Sequence, residues 1–364
     1  MRKSVFVLIA VATMAASVSA KMTKGTPGIQ SVGSLAFGPD GVLLIGDFIS
    51  GSLFAVDLND KISAGEAASL EVKDIDEKLA ALLGTTTKQV RIHDMAVNPI
   101  SQNTYMTVSR GRGDDAVHLL IRVSPGGEIS DVVLKDVTFD KKQITSVVSS
   151  EKKDRRGRSL RNEAITDIAY VDGNIYIAGL SNEEFASTLR MVSYPFDKKE
   201  DAASLEIFHA AHKKYETYSP IRTLLPYELH SVPHLLAAYT CKPLVTFTVD
   251  ELKNGAHVKG KTVGEMGSGN RPLDMVTYQV GGKDFLLLAN NNRTLMKIDP
   301  DDIAAAPAIT EPTTERYGTA GVEFIAIAQV GVQQLDNLNA DHVLVLQRMG
   351  NGSLNLRSLR KARL

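Results

Sequence analysis

Short apolar runs alternate with turn residues along the chain, and the spacing of an amphipathic helix is almost never sustained. Residues 34–58, SLAFGPDGVLLIGDFISGSLFAVDL, set the pattern. Leu35-Ala36-Phe37 reads as a strand, Gly38-Pro39-Asp40-Gly41 as a turn, residues 42–45 as a second strand and 53–56 as a third. Such runs are too short for helices, and residues 69–72 offer a fourth strand.

The same order returns along the chain. Residues 93–124 run strand, turn, strand, loop, strand, with DVVLKDV as the fourth; residues 166–196 repeat it with SLEIFHA. Residues 222–252 close with HVKGKTV, residues 273–299 with EFIAIAQ, and residues 332–359 hold only three strands. Units of about fifty to seventy residues with four strands each are the mark of a β-propeller. The expectation is an all-β, six-bladed propeller with four-stranded blades, closed by the N-terminal segment. In that closure residues 25–33, GTPGIQSVG, supply the strand missing from the last blade and leave no exposed sheet edge.

The first and fifth units resemble the repeats of six-bladed propellers of the NHL and SMP-30/gluconolactonase-like superfamily, most closely over residues 35–57. The resemblance implies the fold. It also implies, as an alternative to a binding protein, a Ca²⁺-dependent lactonase-like hydrolase. The acidic residue that such enzymes carry early in the first blade has no counterpart in SVGSLAF, residues 31–37.

Two segments break the rhythm. IDEKLAALLG, residues 75–84, has helical spacing and ends on glycine. Residues 140–162 form an insertion in which eight basic residues face two acids between Lys141 and Arg161. Long charged loops are commonly solvated and mobile, and this one would also suit an anionic partner.

Composition narrows the class. The chain has 364 residues, 43% hydrophobic residues, a formal net charge of -1 and no tryptophan, which argues against nucleic-acid binding and against disorder. Arg2 and Lys3 before an apolar run, then Val18-Ser19-Ala20, read as a signal peptide over residues 1–20. Export to a periplasm or the extracellular space follows as an expectation, with residues 21–364 as a single propeller domain. No later apolar run is long enough for a transmembrane anchor. Cys241 is the only cysteine, so no intrachain disulfide can form.

Candidate chemistry follows from the repeat. In a propeller, the starts of the innermost strands and the loops between second and third strands share one face. Asp94, Asp167 and Asp274 occupy one repeat position, each followed by an apolar pair, and would converge on the axis. Arg91, Arg271 and Arg222 lie beside them, and the rim loops add Asp47, Arg110, Cys241, Asn290, Asn291 and Arg348.

Three readings of the aspartates stay open. They hold Ca²⁺, they pair with the arginines, or they cap backbone N–H groups at strand starts. The sequence requires no cofactor, and Ca²⁺ is the one it leaves open. His230 and His234 fall on the opposite face from Cys241, His209 and His212 read as ordinary blade-edge residues, and Cys241 itself reads as buried and inert. The partner is then a protein or small molecule at the channel mouth.

Overall fold

A computed structural model describes residues 22–65, 68–197, 199–241, 243–267, 269–312 and 318–364. The leader expected over residues 1–20 lies outside them. Among the described residues no helix is long and apolar enough to cross a membrane.

Six sheets arise from the six units, antiparallel except where His257–Lys259 joins Asp201–His209 in parallel, so the propeller expected from the repeats is the observed fold. Blade one has its inner strand at Leu35–Phe37, followed outward by Leu43–Asp47 and Ser52–Asp57. Central strands of a blade are covered on both faces by neighbouring blades, so they lose the in–out alternation of a half-exposed sheet. Leu43, Leu44 and Ile45, and Leu53, Phe54, Ala55 and Val56, are all 0% exposed. Burying each large aliphatic or aromatic side chain contributes about 1.5–3 kcal/mol.

Several hairpins turn on residues suited to left-handed backbone. Asp172-Gly173 and Gly281-Gly282 all have positive φ and join their strands with two-residue loops.

The order of blades around the axis differs from their order in the chain. Apolar clusters join blade one to blade two through Phe54, Ala96 and Tyr105, and blade one to blade three through Leu44, Leu53, Ile168 and Ile177. Met106 and Val108 of blade two pack with Leu344 and Leu356 of blade six. Blades three and four, four and five, and five and six share the remaining clusters. Around the axis the order is therefore one, three, four, five, six, two.

The chain achieves this by lacing. After blade one it crosses to blade six, where Glu71–Val72 pairs with Leu354–Arg360 as that blade's fourth strand. It then forms the helix Ile75–Leu82 and builds blade two from Val90–Val97, Thr104–Arg110, Val117–Val123 and Ile129–Asp131. It returns to blade one, where Val137–Gln143 pairs with Ser52–Asp57.

Closure thus comes from the N-terminal part of the chain, but from residues 71–72 rather than 25–33. Thr23–Gly25 instead lies outermost on blade one, against Val137–Gln143. Residues 69–72, read above as the fourth strand of blade one, belong to blade six.

The first part of the expected insertion is accordingly a strand. The rest is pinned down: Arg161 donates to the carbonyls of Phe48, Ile49 and Val148, and Lys142 to those of Asp197 and Lys199. Val148 is fully buried beside Ala164 and Leu180. Two of the basic side chains therefore serve as clamps on backbone oxygens, while Lys152, Lys153, Arg155, Arg156 and Arg158 stay exposed.

Candidate functional site

The inner strands bring the three predicted aspartates to the channel, each in the same arrangement. Bulges at Ile92/Asp94 and Pro272/Asp274 precede two of them, while Asp167 reaches the next blade from a regular strand start. Asp94 accepts from the N–H of Met95 at 2.8 Å and, across the blade junction, from that of Leu35 at 2.7 Å. Asp167 accepts from Ile168 and from Leu224 of blade four, and Asp274 from Met275 and from Leu335 of blade six.

The receiving N–H groups follow Ser34, Thr223 and Gln334. Aspartate-bearing blades therefore alternate around the ring with blades carrying a neutral polar residue before the receiving N–H. A fourth clasp escapes the repeat pattern. Asp336 of blade six accepts from Asn337 and from Val97 of blade two. Asn337 follows it where an apolar pair follows the others, so the pattern does not select it.

Of the three readings, the contacts in the structure match backbone capping. Each carboxylate has both oxygens engaged by N–H donors, and among the described residues none is in an ion pair with Arg91, Arg222 or Arg271. The carboxyls nevertheless feel one another. Burial first, then the charge of Asp167, pushes Asp94 up to about 7, against the N–H bonds and Arg222. Burial likewise raises Asp167 and Asp336 to about 6. Asp274 rises well above the usual range through burial and the nearby Asp94. Among the described residues, the aspartates do not form a group whose ligand atoms converge on one ion position.

Above them sits a cationic mouth. Arg91 and Arg222 start the inner strands of blades two and four, and neither guanidinium has a hydrogen bond or ion pair among the described residues. Burial, then the charges of Arg222 and Arg112, lower the Arg91 pKa, with Glu163 opposing. Burial, then Arg91, His118 and the other arginines, push His93 down to about 3, so its ring is neutral and bonds Ser109 Oγ at 2.8 Å. Arg271 is exposed on the same rim, its backbone N–H bonded to Asn291.

Other rim candidates have structural partners. Asn290 is buried, donates to the Leu288 and Thr294 carbonyls and accepts from Asn270. Asp47 is buried and accepts from Gln30, Ser31 and Ser50, latching the N-terminal segment. Arg110 donates to the Leu83 carbonyl and Arg348 to that of Gly352.

Cys241 does reach the rim, but its surroundings differ from the expectation. His209 and His212 of blade three lie beside it, with one ligand atom from each of the three residues within 4.8 Å of the others. Applying the rim rule to the ends of fourth strands, and not only to second-to-third-strand loops, would have brought His209 into view.

No protein-family model matches the chain, and no curated protein does. Among solved structures, the chain is similar to the extracellular domains 1–2 of Drosophila Semaphorin 1b, at 11% identity and a TM-score of 0.38, covering 93% of this chain and 86% of that one. A chain of the mitotic checkpoint complex gives 10% identity and a TM-score of 0.38 over 99% of both chains. BBS1N in complex with ARL6DN gives 11% and 0.33 over 94% of this chain and 98% of that one. Likenesses this distant add nothing to the fold read from the sheets themselves.

Proposed function

We propose that this propeller is an exported, non-catalytic binding protein whose channel mouth takes an anionic small molecule or an anionic group of a protein partner. One observation carries the reading: Arg91 and Arg222 face the same opening, near enough for Arg222 to disfavour the charge on Arg91, with no carboxylate paired to either among the described residues. Arginine's planar fork suits carboxylate and phosphate groups, and unpaired arginines held close together cost stability unless an anion neutralises them. The exposed bases between Lys152 and Arg158 extend the same sign of charge to the surface and would strengthen attraction of an acidic partner.

The alternative implied by the NHL and SMP-30/gluconolactonase resemblance is a Ca²⁺-dependent hydrolase. It would need several oxygen ligands free at the funnel floor. Binding is favoured over it because the axial carboxylates already accept backbone N–H donors on both oxygens.

Titration of the protein with inorganic phosphate, citrate and a heparin oligosaccharide by calorimetry tests the proposal. Binding that weakens with salt and is lost in Arg91→Ala and Arg222→Ala supports it. Absence of binding for all three anions, or binding unchanged in both variants, overturns it.

A further inference from the structure

The rim where blades three and four meet holds a second gathering of polar side chains that the channel-mouth reading does not use. Asp201–His209 ends blade three's fourth strand, a tight turn follows, and Lys214–Glu216 pairs back against it, His209 opposite Lys214. The His212 N–H closes the turn on the His209 carbonyl at 3.0 Å. Blade four holds the turn in place, since Glu265 accepts from the Ala210 N–H at 2.9 Å. Cys241 comes from the loop after Val232–Tyr239 of that same blade.

Glu216 orients both imidazoles. Its Oε2 accepts from His209 Nδ1 at 3.2 Å and its Oε1 from His212 Nδ1 at 2.5 Å. Tyr218 and Ser219 donate to the same carboxylate. With both of its oxygens accepting, Glu216 takes the Nδ1 proton of each ring and leaves each Nε2 as the nitrogen that could ligate.

His209 is 1% exposed, and the nearest polar neighbour of its buried Nε2 is Cys241, which does not form a well-aligned hydrogen bond with it. A buried, unpartnered ring nitrogen is costly unless something occupies it. Cys241 Sγ lies beside it, and His212, with its side chain 47% exposed, leaves the group open to solvent on one side.

We infer that His209 Nε2, His212 Nε2 and Cys241 Sγ form a Zn²⁺ site, with Glu216 as the carboxylate that positions both histidines. Ligand atoms at tetrahedral zinc, with bonds of about 2.0–2.3 Å, stand about 3.3–3.8 Å apart. One ligand atom from each of the three residues already lies within 4.8 Å of the others, so a small rearrangement reaches that spacing. Imidazole and thiolate are the ligand types zinc prefers, and three protein ligands with one side open leave a fourth position for water or a ligand. Binding forms the Zn–S bond as the thiol proton leaves to solvent, and the charges of the thiolate and Glu216 balance the dication. Two histidines that each give their second nitrogen to a carboxylate are a recurring support for a metal.

Titration of the chelator-stripped, reduced protein with ZnCl₂ by calorimetry tests the site. One Zn²⁺ per chain is expected, with affinity reduced more than about 100-fold in His212→Ala and Cys241→Ser, whose side chains are not fully buried, and about 10–100-fold in Glu216→Gln. His230→Ala, on the opposite face, should match the wild type. Absence of stoichiometric binding in the wild type overturns the inference, as does binding that persists unchanged in both His212→Ala and Cys241→Ser. The anion titrations at Arg91 and Arg222 fail or succeed independently of this result.

Discussion

The axis and the rim of this propeller each gather ionisable side chains, and they use their polar atoms in opposite ways. On the axis, Asp94, Asp167, Asp274 and Asp336 each accept one N–H within their own strand and one from the next blade. On the rim, Glu216 takes Nδ1 of His209 and of His212, and His209, His212 and Cys241 each bring a ligand atom within 4.8 Å of the others. The carboxylates look like a metal set in sequence and act as blade clasps. The histidines look incidental in sequence and are the ligands of the Zn²⁺ site proposed above.

Breaking the clasps should give the largest effects. Asp94→Ala, Asp167→Ala and Asp274→Ala each leave two N–H groups without their acceptor, at about 1–3 kcal/mol per buried group. Chemical denaturation should show this loss in all three, while Zn²⁺ stoichiometry stays unchanged. His212→Ala and Cys241→Ser should do the reverse, altering metal-free stability by no more than about 0.5 kcal/mol.

Zinc itself should come next in size. At a free concentration 100 times its dissociation constant, a ligand bound only by the folded state adds about 2.7 kcal/mol. Thermal unfolding of the wild type should shift upward accordingly, and that of Cys241→Ser should not move.

A smaller effect separates the two regions by pH. Asp94 is raised to about 7 and Asp167 and Asp336 to about 6 in the fold, against an ordinary value of 3.8. The folded chain holds these protons where the unfolded chain has released them, so the clasps favour folding more at the acid end of the window. Their contribution declines as pH rises from about 4 to about 7. Denaturation midpoints of the wild type, compared with Asp94→Asn across that range, should show a slope that the variant reduces.

The smallest expected effect is at the mouth. Arg91→Ala removes a like charge from the opening, so stability should hold or rise slightly at low salt, and added salt should erase the difference; Arg222→Ala also removes a cation that offsets Asp94 and Asp167 and should gain less.

Much of the fold is legible in sequence because a propeller repeats its hydrophobic rhythm. Strands such as Leu43–Asp47 and Ser52–Asp57 announce themselves by uninterrupted apolar runs. The order of blades is not legible, because apolar pattern specifies that a strand is buried and not which blade covers it. Glu71–Val72 is too short to reveal that it closes blade six. The aspartates are legible as a repeat position, but whether their oxygens face a metal or an N–H depends on how closely the next blade's inner strand approaches, which no single strand pattern encodes. His209 and Cys241 belong to different blades, so only the packing of those blades brings them together.

Optical absorption of the Co²⁺-loaded protein distinguishes a rim metal from an axial one, because thiolate ligation gives a charge-transfer band that carboxylates cannot. The band should appear in the wild type and in Asp274→Ala and be absent from Cys241→Ser. A Co²⁺ complex without that band, lost in Asp94→Ala or Asp274→Ala and kept in Cys241→Ser, would place the metal on the axis and contradict the account.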